Sequence, residues 1–240
     1  MEQHKMPPLC EECTDPATLR CAGCLESRYC SSKCQRKGWP THKHLCKTFK
    51  DFKDRPPSKH PDESYSRAIY FHQDENGPRF VWVKTAYKRE EDGNWLDFDC
   101  HEFLDYDITE KGFGESPFLR PYAYKQNTRL GRNLPHTFDV AHRDAFAIDG
   151  SKPNKAIHKL ATKSSPYLLG WLGPILVYGY ENLKTPWTWD PQKSVDLIPA
   201  DLRHIIDYFN TYMYSAWQKE QKSLGLTAGM VRMNLGPWTN

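Results

Sequence analysis

Along the last third of the chain, apolar residues recur at Leu202, Ile205, Ile206, Phe209, Tyr212 and Met213. Spacings of three and four place these on one face of a helix, which is predicted to start near Pro199. Shorter β-rich runs come earlier: "RAIYFH" (67–72), "RFVWVKTAY" (79–87) and Trp95 to Phe98 in "NWLDFD". The polar stretch "QDENGP" between the first two reads as a hairpin turn, and "EEDGN" as the next turn of a meander. "PNKAIHKLATKS" (153–164) predicts a helix with Asn154 as its cap, "GPILVYGYE" a strand fit for a sheet interior, and "GMVRMNL" (229–235) a closing strand. Between Glu110 and Gly150 the periodicity is weak and Gly, Pro and Asn are frequent, so long loops are expected there. Strands first and helices later predict an α+β domain with a mainly antiparallel sheet.

The first fifty residues are a different polymer. Six of the eight cysteines lie between Cys10 and Cys34 and a seventh is Cys46, whereas only three of the 32 aromatic residues (Tyr29, Trp39, Phe49) fall in this stretch. So few large apolar side chains cannot fold fifty residues alone. "DFKDRPPSKHPDESYSR" then runs polar, with three prolines and no apolar period, as a linker does. The expected organisation is a small module at 1–50, a linker at 51–65 and an α+β domain at 66–240.

"MEQHKMPPLCEEC" has no apolar centre, so no signal peptide is expected and the mature chain is expected to begin near Met1. In a reducing compartment, clustered cysteines are metal ligands more often than disulfides. Their spacing is Cys10-x2-Cys13, Cys21-x2-Cys24, Cys30-x3-Cys34 and His42-x3-Cys46. Each x2 pair can wrap an ion in a tight turn, and each x3 pair shares one helical face. Eight donors make two closed tetrahedral sites, and closed sites are structural; zinc is the expected ion. A structural zinc site supplies about 10 kcal/mol or more of apparent binding free energy, enough to fold a segment that has no core of its own. His42 is i, i+4 to Cys46 while His44 is i, i+2, so His42 is the expected ligand. Ser31 or Ser32 is expected to cap a short helix ending near Gly38, with Pro40 opening a second helix that carries His42 and Cys46.

This spacing, with "YCSSKCQ" and the W-x2-H-x3-C of Trp39 to Cys46, resembles the MYND-type zinc finger. The resemblance covers Cys10 to Cys46 and implies a cross-braced arrangement. Cys10, Cys13, Cys30 and Cys34 would hold one zinc, and Cys21, Cys24, His42 and Cys46 the other; spacing by itself leaves sequential pairing open. It also implies a protein-interaction module that binds a short proline-rich peptide of a partner protein, with Gln35 and Trp39 at the matching groove positions. An indole face suits a proline ring, and a glutamine amide suits an extended backbone. The alternative is that Trp39 packs between two helices and Gln35 is solvated. "PNKAIHKL", "GPILVYG" and "DLRHIIDYF" resemble the C-terminal regions of small fungal MYND proteins, which imply no activity.

Charge narrows the partners. The first fifty residues hold nine Lys or Arg against five acids, but two divalent ions with seven thiolates add −3 and leave about +1. Nucleic acid is therefore not the expected partner. The uncharged run Ser164–Tyr180 is shorter than the roughly 20 apolar residues of a bilayer span and is broken by prolines and glycines, so no membrane association is expected. The chain is expected inside the cell, in nucleus or cytoplasm.

Catalysis is not expected. Cys100 has no base by adjacency, since His101 would face the other way on a strand, and nothing selects among His136, His142, His158 and His204. The acidic stretch Asp97, Asp99, Glu102, Asp105 and Asp107 lacks the glycine and terminal glutamate of a calcium loop. A SET-type methyltransferase with an inserted finger would carry catalytic sequence before the finger and an Asn-His motif; nine residues precede Cys10 and the chain has no Asn-His pair. An enzyme of unrecognised type in the C-terminal domain, with the finger recruiting substrate, is the alternative reading.

Overall fold

Alternation along the strands separates two cores on opposite faces of one sheet. In the computed structural model, which describes residues 8–90, 93–104, 122–143, 146, 149–161, 171–181 and 193–211, β1 (Leu19–Arg20) and β2 (Arg28–Tyr29) form a small hairpin. The helix α1 (Ser32–Cys46) and a 3-10 turn at Phe49–Phe52 follow. The main sheet comprises β3 (Glu63–Phe71), β4 (Arg79–Glu90), β5 (Gly93–Phe98), β6 (Tyr122–Asn127), β7 (Arg132–Ala141), β8 (Ile175–Tyr180) and β9 (Ser194–Val195). Its order is β5-β4-β3-β8-β7-β6, every pairing is antiparallel, and β9 pairs with the end of β8 at Gly179 and Tyr180. Two helices lie beside it: α2 (Lys155–Leu160), capped by Asn154, and α3 (residues 201–211). A finger followed by a mainly antiparallel sheet with few helices is the α+β class expected.

Ile69 and Phe71 of β3, Phe80 of β4, Phe138 and Val140 of β7 and Ile175 and Val177 of β8 share one core with Leu202, Ile205, Ile206 and Phe209 of α3. The finger residues Cys10, Tyr29, Leu45 and Phe49 belong to that same core. Their neighbours on the opposite face, Tyr70, Val81, Val83, Leu176 and Tyr178, build the second core with Phe98, Phe103 and Leu104. At about 1.5–3 kcal/mol for each large apolar side chain buried, the first core holds finger, sheet and α3 together.

Residues 51–65 run from the 3-10 turn to β3, which begins at Glu63. Arg67 clips this stretch to the sheet: it donates Nη1 to the Phe52 carbonyl at 2.6 Å and Nε to the Leu197 carbonyl at 2.7 Å. Its guanidinium also lies 4.7 Å from the Phe49 ring centroid, a cation–π contact. Arg55 pairs with Asp196 at 2.8 Å alongside it.

Two expectations are corrected. The stretch expected to be loops contains the hairpin β6–β7, turned at Gly131 with φ of 61°. Pro135 disguises β7, but it sits beside the register shift between Tyr124 and Gln126, where an interrupted ladder tolerates a missing N–H. In the finger, the two expected helices are one: Ser32–Cys46 is continuous, with Pro40 inside it. Gly38 ends nothing. It is buried, and a Cβ there would lie 2.9 Å from Glu12 Oε1 and 3.2 Å from the Tyr29 ring, so glycine is required by close approach, not by a left-handed turn. Ser31 is the cap, accepting from the Cys34 N–H at 3.3 Å. The expected strand 229–235, and Tyr212 and Met213 of the α3 stripe, lie outside the described residues.

The start of α3 generates a pH dependence. Asp201 accepts from the Ile198 N–H at 2.7 Å and lies 3.5 Å from His136. Burial raises its carboxyl to about 7, against partial relief from the Ile198 N–H and the Arg67 charge. Between the ordinary value of 3.8 and about 7, the folded chain holds a proton that the unfolded chain has released. This group's stabilising contribution is therefore full below the ordinary value and lost as pH rises through about 7. Asp201→Asn keeps a capping oxygen and removes that loss. Urea midpoints at about pH 5.5 and 8, with zinc present, should move in favour of the variant relative to the parent as pH rises; an unchanged difference would contradict the buried carboxyl.

Candidate metal centre

Four chain segments bring the donors together. The backbone closes over the first knuckle through a bridge between Leu9 and Pro16 and a hydrogen bond from the Cys10 N–H to the Asp15 carbonyl, 2.8 Å. The β1–β2 hairpin turns the second knuckle, where the Cys21 N–H donates to the Ser27 carbonyl at 2.9 Å and Leu25 takes a φ of 62°. Cys30 follows β2, Cys34 lies in the first turn of α1, and His42 and Cys46 occupy its later turns.

Cys10, Cys13, Cys30 and Cys34 form one quartet and Cys21, Cys24, His42 and Cys46 the other, with donor atoms in each within 4.8 Å of one another. In the first, Sγ separations are 3.6 Å for Cys13–Cys30, 3.5 Å for Cys30–Cys34 and 4.0 Å for Cys13–Cys34. In the second, Cys21 and Cys46 are 3.6 Å apart, and His42 Nε2 is 3.3 Å from Cys21 Sγ and 3.7 Å from Cys24 Sγ. A Zn–S bond of about 2.3 Å gives a tetrahedral S···S edge of about 3.8 Å, so the spacings are those of zinc-filled tetrahedra, while a disulfide needs about 2 Å. All eight cysteines are free.

The donor chemistry fits the same ion. Burial and the neighbouring Cys21 and Cys24 sulfurs push the Cys46 thiol up to about 12, a repulsion that a divalent cation reverses. Burial pulls His42 down to about 4, which keeps it neutral, the ligating form. With Nε2 toward the ion, its Nδ1–H donates to Ser27 Oγ at 3.0 Å, and Ser27 is wholly buried. That outer bond fixes the tautomer and aims the ring. His44 points elsewhere, against Gly77 in the turn between β3 and β4. Both quartets are complete without water, so the ions are two structural zincs.

A polar joint ties the first knuckle to α3. Arg203 Nη1 donates to both oxygens of Glu12 at 2.7 and 2.8 Å, and Arg203 Nε donates to Asp207 at 3.0 Å. Lys37 lies 3.5 Å from Glu12, and Arg132 donates to the Cys10 carbonyl at 2.8 Å. Asn127 Nδ2 donates to Asp207 and to His204 Nδ1, at 3.0 and 2.9 Å. Removing one partner of a buried pair such as Glu12–Arg203 costs about 3–5 kcal/mol. Sequence reasoning missed Ser27, Glu12, Arg203 and Gly38; Glu12 and Arg203 are 191 positions apart, and no local pattern couples them.

The two positions expected to meet a peptide are i, i+4 on α1. Trp39 is 41% exposed and does not pack between helices, since α1 is one helix. Gln35 is half-buried.

Two interleaved closed sites, held by knuckles, a hairpin and one helix, define a cross-braced two-zinc finger. The MYND finger family model matches residues 10–46, and the chain carries a MYND-type zinc finger built on two four-donor sites. Over 51 residues the chain is 43% identical to the human histone-lysine N-methyltransferase SMYD3, covering 20% of this chain and 12% of that protein. Over 40 residues it is 45% identical to Tudor domain-containing protein 1 of Oryzias latipes, covering 17% of this chain and 4% of the relative. A longer likeness, 26% over 156 residues, reaches 62% of this chain and 15% of ubiquitin C-terminal hydrolase 15 of rice. The chain thus spans under a sixth of each of these relatives. No solved structure matches it. No helix among the described residues is long and apolar enough to cross a membrane.

Two variants test this geometry. Ser27→Ala should weaken one of two zincs by about 10- to 100-fold in chelator competition, while His44→Ala leaves both; equal retention in the two would remove Ser27 from the site. Gly38→Ala should cost about 1–3 kcal/mol in urea unfolding, as Glu12 or Tyr29 gives way.

Proposed function

We propose that this protein is a zinc-dependent adaptor whose finger captures a proline-rich peptide of a partner protein on Trp39 and Gln35, while the sheet domain holds the finger in place. The observation that carries this reading is the exposed indole of Trp39 on a helix whose neighbouring metal sites are closed. An aromatic platform fixed on a rigid helix meets an apolar anchor at little entropic cost. Gln35, one turn earlier, supplies an amide for the peptide backbone.

The proposal assigns no catalysis to the sheet domain. Cys100 is buried, and burial together with Asp97, Asp99 and Asp139 pushes its thiol up, away from the thiolate a nucleophile needs. Burial holds His204 down at about 3 and His136 at about 4, and both face the joint with α3 and β6. Their shifts follow from packing between finger, sheet and helix. The relatives named for histone methylation and ubiquitin hydrolysis share with this chain only a small part of their lengths. We place the adaptor inside the cell, in a nuclear or cytoplasmic assembly.

Calorimetric titration of the zinc-loaded full chain with a proline-rich peptide tests this. Trp39→Ala should weaken binding by about 30-fold or more and keep two zincs, with Gln35→Ala weakening it a few-fold. Undiminished binding in Trp39→Ala, or loss of zinc from it, would overturn the assignment.

A further inference from the structure

The exposed face of α1 carries cations and no acid at all. Within "SKCQRKGWPTHKHLC" and the next residue, Lys33, Arg36, Lys37, Lys43 and Lys47 are exposed, and the segment contains neither aspartate nor glutamate. Their spacing places them along one side of the helix, opposite the face that buries Leu45 and His42. Lys37 meets Glu12, but Lys33, Arg36, Lys43 and Lys47 have no carboxylate within ion-pair distance among the described residues. Trp39 stands beside this stripe, with Arg36 at i−3 and Lys43 at i+4.

Resting on the peptide-capture reading above, we propose that the peptide this finger takes is acidic, with carboxylates on both sides of the apolar anchor that meets Trp39. From Arg36 to Lys47 is about 16 Å along a helix, the reach of about five extended residues. One short peptide therefore spans the stripe with its anchor on the indole. Nucleic acid is disfavoured by the wider field. The chain's formal charge is +3, and two zincs with seven thiolates add −3, so the whole molecule is near neutral and lacks the net positive charge that draws a polyanion. Local cations beside an apolar platform match carboxylates beside an apolar side chain, not a polyanion.

Fluorescence anisotropy on the zinc-loaded full chain tests this with two labelled peptides. Both carry a Pro-Pro-Leu-Pro core, one flanked on each side by two glutamates and the other by two serines. The glutamate peptide should bind about tenfold tighter at low salt, with the gap closing as salt rises. Arg36→Glu with Lys43→Glu should abolish the preference while zinc content stays at two, and Arg36→Gln with Lys43→Gln serves if the reversal disturbs folding. Equal binding of the two peptides, both lost in Trp39→Ala, would overturn the acidic partner and leave peptide capture standing. Binding of neither would overturn peptide capture itself and the acidic partner with it. A short DNA duplex that displaces the glutamate peptide and binds tighter than it, with a steep salt dependence, would assign the stripe to nucleic acid and overturn the proposal.

Discussion

Seven sulfurs and one imidazole crowded into two spaces a few ångströms wide repel one another unless a divalent cation sits among them, and the architecture follows from that constraint. Each site takes donors from two separate segments, so binding the ions fixes the knuckles, the β1–β2 hairpin and α1 in one mutual orientation. The geometry then propagates outward. With α1 fixed against the first knuckle, Gly38 is pressed to Glu12 and Tyr29, and Glu12 is aimed at Arg203. Through Arg203 and Asp207 the finger meets α3, and through Arg132 it meets the sheet.

Finger and sheet domain are thus mechanically joined. Tyr29, Leu45 and Phe49 share one core with Phe80, Phe138 and Ile205, and Arg67 stacks over Phe49 while bonding to Phe52 and Leu197. A finger held in this way presents α1 at a defined angle and does not swing on a tether. The closed coordination leaves the metal no open position, and the outer surface of α1 exposes an indole with Arg36 and Lys43 one turn to either side along the helix.

Much of this was legible in the residues. Four ligand pairs define two ions, because cysteine and histidine at turn and helix spacing have few other uses when they interlock. The i, i+4 rule selected His42 over His44, and the structure gives it a physical reason in the Ser27 bond to Nδ1. Strands β3, β4, β5 and β8 and helices α2 and α3 are visible for the same kind of reason, since alternation or a 3.6-residue stripe records which face is buried. The hairpin β6–β7 was hidden because Pro135 and polar residues break its alternation, and its fitness as a strand comes from the neighbours it pairs with.

Local chemistry therefore determined, from the sequence alone, the metal, the number of ions, the ligands and the α+β class. Donor type, helical spacing and strand alternation are properties of neighbouring residues. Tertiary structure decided the rest: that α1 is one helix through Pro40, that Gly38 serves close packing, and that Glu12 and Arg203 meet across 191 positions. It also decided that Trp39 is left exposed beside the exposed cations Arg36 and Lys43. Each of these depends on distances between residues remote in the chain, which a one-dimensional pattern does not encode.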